Sequence, residues 1–135
     1  MGRTYNRCRG GKRDDLNGLY LRSSWEANYA RFLNWRQEKG QIVKWEYEAH
    51  TFEFPVKRGS KFYTPDFKVY FHDGHHEYHE VKGYMDKESA TKLKRMAIHH
   101  PEVILKLVDK KAYADLAKQF MAMIPNWEKN AKHAY

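Results

Sequence analysis

Two acidic side chains and one lysine are spaced so that they could converge beside a predicted hairpin. Asp66 precedes a strong two-residue turn signal, Asp73-Gly74, and Glu80 and Lys82 follow it. Side chains alternate between the two faces of a strand, so Glu80 and Lys82 should share one face while Val81 points into the core. Pairing across the turn would then bring Asp66 within reach of both.

The two carboxylates predict a divalent metal ion. Carboxylates that meet at one spot repel each other, which raises a pKa unless a cation lies between them. Carboxylate oxygens are hard ligands, and they suit Mg²⁺, with Mn²⁺ as a substitute, better than Zn²⁺. The chain has a single cysteine, Cys8, so it can build neither an intramolecular disulfide nor a thiolate metal site.

These residues resemble the motif of the PD-(D/E)XK nucleases. Pro65-Asp66 matches its first half and Glu80-Val81-Lys82 its second. Four segments are similar, more narrowly, to the bacteriophage endonuclease I type of Holliday-junction resolvase and related small phage nucleases. They are Arg22-Ser23-Ser24-Trp25-Glu26, Trp45-Glu46-Tyr47-Glu48, Tyr63-Thr64-Pro65-Asp66-Phe67 and Glu80-Val81-Lys82-Gly83. The resemblance spans about residues 20–110.

The resemblance implies a role for each of these residues. Asp66 would be the carboxylate shared by two Mg²⁺ ions, with Glu80, the carbonyl of Val81 and Glu26 as further ligands. Lys82 would hold or help deprotonate the attacking water and steady the charge on the phosphate. Glu26 has a simpler alternative, because an acid in the first turn of a helix also complements the helix dipole.

The resemblance also implies the reaction and the partner. Phosphodiester hydrolysis in this superfamily usually leaves a 5′-phosphate and a 3′-hydroxyl. Branched DNA is the expected substrate, and resolving a junction normally requires a homodimer with two active sites. A phage or prophage origin would follow from the same likeness, as would a role in DNA recombination. The implied fold is a restriction-endonuclease-like core.

The elements that must position the site follow from hydrophobic periodicity. Apolar residues three and four apart predict a first helix that begins at Ser23 or Ser24, ends near Gly40 and carries Glu26 in its first turn. Alternating or continuous apolar runs predict strands at residues 42–48, 51–54, 62–71, 76–82 and 103–108. Asp86 and Asp109 would cap two further helices. This order predicts an α/β fold with a central mixed sheet flanked by helices.

The composition favours one domain that binds a polyanion. The chain has 135 residues, is 41% hydrophobic and carries a net charge of +8, which favours association with nucleic acid. We predict a flexible basic arm at residues 1–18, a nuclease domain at 19–124 and a tail at 125–135. The residues predicted to bind DNA are Arg3, Arg7, Arg9, Lys12, Arg13, Arg22, Lys57, Arg58 and Lys61.

The hydropathy of the chain predicts where the protein is located, and its motifs leave two alternative functions open. There is no run of about 20 apolar residues and no secretory signal, so we expect a cytoplasmic protein without a membrane partner or a small-molecule substrate. Two alternatives remain open: a sequence-specific or nicking endonuclease, and a DNA-binding protein of the same fold that does not cleave. The intact Asp66, Glu80 and Lys82 argue against the second.

Overall fold

The computed structural model describes residues 10–129. The elements in chain order are β1 (Gly11–Arg13), a 3-10 turn (Asp14–Leu16), β2 (Leu19–Leu21), α1 (Ser24–Glu38), β3 (Lys44–Tyr47), β4 (Phe52–Glu53), β5 (Phe62–Tyr63), β6 (Phe67–Tyr70), β7 (His76–Val81), α2 (Lys87–His99), β8 (Leu105–Val108) and α3 (Lys110–Phe120). The predicted α/β class is confirmed. No helix within this part of the chain combines the length and the apolar character needed to cross a bilayer.

The central sheet is mixed, as predicted. Its strand order is β3-β6-β7-β8, with antiparallel β3/β6 and β6/β7 pairs and a parallel β7/β8 pair. One face buries Phe67, Val69 and Val81 in a cluster with residues of α1 and α3. The opposite face packs Tyr78 with Met96 of α2. Helices therefore cover both faces of the sheet.

The β6–β7 hairpin sets the register of the candidate site. Gly74 has φ +96, a conformation that glycine adopts at little cost. The turn pairs Tyr70 with His76 and Phe67 with His79. The start of β6 consequently lies beside the end of β7, which contains Glu80 and is followed by Lys82.

The predicted single strand over residues 62–71 is wrong, because the segment divides into β5 and β6. These two strands pair in different sheets, β5 with β4 and β6 with β3 and β7. Pro65 lies between them and has no N–H for a sheet ladder. The break leaves the backbone N–H of Asp66 free to donate to the side chain of Glu80 at 3.2 Å.

The folded domain extends beyond the predicted boundaries at both ends. Residues 10–18, expected in the flexible arm, form β1 and the 3-10 turn, and Leu16 is buried. Trp127, expected in the tail, is also buried in the core. Arg13 donates to Glu128 from both Nε and Nη2 at 3.0 Å. The first and last segments of the described part are therefore in contact, and residues 1–9 and 130–135 lie outside it.

Glu128 should stabilise the fold in a pH-dependent way through its contact with Arg13. Burial raises the pKa of Glu128, but hydrogen bonds from Arg13, Ser24 and Arg31 outweigh it and hold that pKa below its usual value. The stabilisation is thus complete above the ordinary glutamate pKa of about 4.3 and is lost as the pH falls through the folded value. Glu128→Gln should lower the free energy of unfolding at pH 7 by about 1–3 kcal/mol, as expected for hydrogen bonds to a charged group.

Urea unfolding of both proteins at pH 7 and pH 3 checks this prediction. The difference between them should shrink at the lower pH. Asp115→Asn is the matched control, because it removes an exposed carboxylate paired with Lys111 at 3.1 Å and should change stability by less than about 0.5 kcal/mol. Equal effects of the two substitutions at pH 7 would contradict a special role for Glu128.

Candidate active site

The carboxylates of Asp66 and Glu80 meet where β6 begins and β7 ends. Oδ2 of Asp66 accepts from the backbone N–H of Val81 at 2.8 Å. Oε1 of Glu80 accepts from the backbone N–H of Asp66 at 3.2 Å. Each carboxylate is thus fixed by the other strand's backbone, as the hairpin pairing predicts. Asp66 is 1% exposed and Glu80 8%.

Lys82 and Tyr63 flank Glu80. The Nζ of Lys82 lies 4.0 Å from Oε2 of Glu80, on the face that strand alternation predicts. The hydroxyl of Tyr63 donates to Oε1 of Glu80 at 2.9 Å. Tyr63 lies in the segment Tyr63-Thr64-Pro65-Asp66-Phe67, but no pattern in that segment predicts this contact. It holds one oxygen of Glu80 in place while the other faces Lys82.

Glu26 is fully buried in the first turn of α1. The side chain of Ser23 caps the helix by accepting from the backbone N–H of Glu26 at 3.1 Å. The hydroxyl of Tyr47 donates to Oε1 of Glu26 at 2.6 Å, and the backbone N–H of Arg22 donates to the same oxygen at 3.2 Å. Complementing a helix dipole does not require burying a carboxylate, so the dipole alone does not account for the buried position of Glu26.

Arg22 joins Glu26 to the hairpin carboxylates. Its Nη2 lies 3.1 Å from Oδ1 of Asp66, and its Nε lies 3.8 Å from Oε2 of Glu26. It also forms an ion pair with Glu48. Burial lowers the pKa of Arg22, but the surrounding acids, Glu26 first among them, raise it above its usual value. A cation therefore already lies among these carboxylates.

Glu48 is a site residue that sequence reasoning missed. The alternation over residues 45–48 predicts an exposed strand residue; Glu48 is exposed, but it lies just after β3 with φ +50. Its backbone N–H donates to the carbonyl of Asp66 at 2.7 Å, and its side chain pairs with Arg22. Glutamate is uncommon in the left-handed backbone conformation, and no pattern in the sequence predicts that conformation at Glu48.

Burial and mutual repulsion disfavour the ionised forms of Asp66 and Glu80 when no metal ion is bound. Burial raises the pKa of Asp66 well above its usual value, and the charges of Glu80 and Glu26 raise it further. Burial also raises the pKa of Glu80, against the hydrogen bond from Tyr63 and the charge of Lys82. A bound cation reverses this cost, so the hard oxygens of Asp66, Glu80 and Glu26 fit Mg²⁺ or Mn²⁺.

The carboxylates would have to rearrange to hold such an ion. Between residues 10 and 129, no group of three or more His, Cys, Asp or Glu side chains is arranged to hold a metal. Oδ1 of Asp66 faces Arg22, which is 47% exposed in its side chain. An ion bound to this oxygen would therefore require the guanidinium of Arg22 to move away from Asp66.

A cleft of about 490 Å³ gives access to the site. Arg22, Glu48, Glu80 and Lys82 contribute to its wall, whereas Asp66 and Glu26 lie behind them. The N-terminal part of α2 forms another side through Ser89, Lys92 and Leu93. The cleft is within the size range of ligand-binding sites in proteins.

A family model described as "Protein of unknown function (DUF1064)" matches residues 9–115. The chain belongs to the DUF1064 family. Comparisons with curated proteins and with solved structures gave no match. The matched segment of this DUF1064 chain includes Glu26, Glu48, Asp66, Glu80 and Lys82. The whole candidate site thus lies within the region that defines the family.

The residues predicted to bind DNA have different positions in this DUF1064 chain. Lys12, Lys57, Arg58 and Lys61 are exposed, and Arg95 supports the basic turn between β4 and β5 by donating to the carbonyls of Arg58 and Ser60 at 3.2 and 2.6 Å. Arg13, by contrast, has a side chain that is only 8% exposed and pairs with Glu128 at 3.0 Å. Arg3, Arg7 and Arg9 lie outside the described residues.

Proposed function

We propose that the chain is a metal-dependent endodeoxyribonuclease that hydrolyses phosphodiester bonds. One observation carries the proposal: Asp66 and Glu80 are held together by reciprocal contacts across two strands, with Lys82 4.0 Å from Glu80 at the cleft. The net charge of +8 supports a polyanionic substrate. The same arrangement supports a restriction-endonuclease-like core as the finer description of the mixed sheet.

Each residue has a defined part in this reaction. Asp66, Glu80, Glu26 and the carbonyl of Val81 would hold Mg²⁺, which when bound lowers the pKa of a water molecule and neutralises charge on the phosphate. Lys82 orients the attacking water or donates to a phosphate oxygen. Tyr63 and Tyr47 keep Glu80 and Glu26 in position.

Branched DNA is the proposed substrate, and a homodimer the proposed assembly. Both follow from the likeness to the endonuclease I type of junction resolvase. A sequence-specific or nicking enzyme would use the same catalytic residues. A DNA-binding protein that does not cleave would use only exposed basic residues such as Lys57, Arg58 and Lys61.

A cleavage panel tests the proposal and separates these alternatives. The purified protein is incubated with a four-way junction, a matched linear duplex and single-stranded DNA, each with Mg²⁺ or with a chelator. Paired cuts confined to the junction and dependent on Mg²⁺ are expected. Cuts at one sequence in the duplex would favour the sequence-specific enzyme. Binding without cleavage, with Mg²⁺ or Mn²⁺, would contradict the nuclease proposal.

A further inference from the structure

Exposed apolar side chains are concentrated at the mouth of the cleft. Nine large hydrophobic residues are exposed between residues 10 and 129, and four of these line this one cleft: Phe62, Tyr84, Met85 and Leu107. Single exposed apolar residues are ordinary on a protein surface, but a group of them around one concave site marks a binding surface.

Two of the four are aromatic rings attached directly to the catalytic elements. Phe62 is 54% exposed and precedes Tyr63, whose hydroxyl contacts Glu80. Tyr84 is 68% exposed and lies two residues after Lys82, between β7 and α2. We call Phe62 and Tyr84 the aromatic rim. Because both rings line the same cleft as Glu80 and Lys82, a group resting on the rim would lie next to a phosphate bound at the candidate site.

The cleft also contains groups that could pair with a phosphate. The cations Arg22, Lys82 and Lys92 line the same space as the two rings, together with the acids Glu48, Glu80 and Asp86. A nucleotide combines a phosphate that pairs with the cations and a flat base that stacks on an aromatic ring.

We propose that the aromatic rim is a subsite for an unpaired nucleobase next to the scissile phosphate. The bases of a paired, stacked duplex do not present their faces to a protein, whereas bases at a bulge, a branch point or a single strand do. The rim therefore selects DNA that contains an unstacked base. This inference rests on the proposed function and specifies its substrate class.

Binding in the presence of a chelator tests the subsite without requiring cleavage. Fluorescence anisotropy compares a matched duplex with the same duplex carrying one bulged adenosine. The wild-type protein should bind the bulged DNA more tightly. Phe62→Leu and Tyr84→Leu, which keep apolar bulk but remove the ring, should each weaken binding to bulged DNA by about 5- to 150-fold and leave affinity for the duplex unchanged. Phe62→Trp and Tyr84→Trp should keep the preference.

Tyr20→Leu is the matched control, because Tyr20 is 55% exposed but does not line the cleft. It should leave the preference for bulged DNA intact. Three results would overturn the subsite: no preference in the wild type, equal losses on both DNAs in the leucine variants, or conversion of a dimer to monomers by those variants in sedimentation. A wild type that prefers bulged DNA but cleaves none of the DNAs with Mg²⁺ would refute hydrolysis and support the subsite.

Discussion

Lys82→Ala should reduce Mg²⁺-dependent DNA cleavage by about 10³-fold or more and leave DNA binding nearly unchanged. The ammonium of Lys82 is the cation nearest Glu80, 4.0 Å from Oε2, and its side chain is 15% exposed. Removing one fixed donor from a site of developing charge typically costs about 10²–10³ in rate, and losing the group that orients the water adds to this. Cleavage is measured on end-labelled junction DNA, and binding by anisotropy in a chelator.

Binding should change by less than about fivefold, because the affinity of a protein for DNA is spread over several phosphate contacts, of which Lys82 would supply one. Lys106→Ala is the matched control. Lys106 lies on the neighbouring strand β8, where it is 61% exposed and pairs with Glu77 at 3.4 Å. It does not line the cleft, so its removal should leave the cleavage rate within about twofold of wild type. Loss of both binding and cleavage in Lys82→Ala would contradict a catalytic role for Lys82.

Asp66→Asn should abolish cleavage and also remove the stabilisation that Mg²⁺ gives the protein. Burial first, and then the charges of Glu80 and Glu26, raise the pKa of Asp66 well above its usual value. Its ionised form therefore destabilises the fold without a metal, at a cost that appears as the pH rises above about 3.9 and is complete above the folded pKa. Asparagine removes this charge and can still accept from the N–H of Val81, at the loss of the hydrogen bond from Arg22.

Thermal unfolding measures this effect independently of cleavage. In a chelator at pH 7, Asp66→Asn should raise Tm by roughly 3–6 °C, equal to about 1 kcal/mol for a domain of this size. Mg²⁺ at 100 times its Kd should stabilise the wild type by about 2.7 kcal/mol and the variant hardly at all. Asp115→Asn should respond to Mg²⁺ like the wild type. A wild-type Tm that does not change with Mg²⁺ or Mn²⁺ would contradict the metal site.

The parts of the site that are set by local periodicity could be predicted from the sequence. Glu80 and Lys82 share a face because strand side chains repeat every second residue, and the Asp73-Gly74 turn fixes where Asp66 meets them. Glu26 lies in the first turn of its helix because Ser23 caps it. These features depend on a few neighbouring residues.

The features that could not be predicted depend on distant or unusual contacts. Arg13 and Glu128 are 115 positions apart, so nothing near either one predicts that they pair. Glu48 reaches the site only because its backbone adopts φ +50. The run at residues 103–108 predicts a buried strand, but β8 pairs only with β7 in the described sheet, and both Leu107 within it and Ile104 just before it are exposed. Such outcomes are decided by tertiary packing.

A crystal structure with Mn²⁺ tests the central claim most directly. Anomalous scattering would locate each ion. We expect manganese bound by Asp66, Glu80 and the carbonyl of Val81, with Glu26 completing the site and the guanidinium of Arg22 moved away from Oδ1 of Asp66. Fully ordered crystals in which no ion lies among these carboxylates, and in which Arg22 keeps its contact with Asp66, would contradict the metal-dependent hydrolysis proposed for this protein.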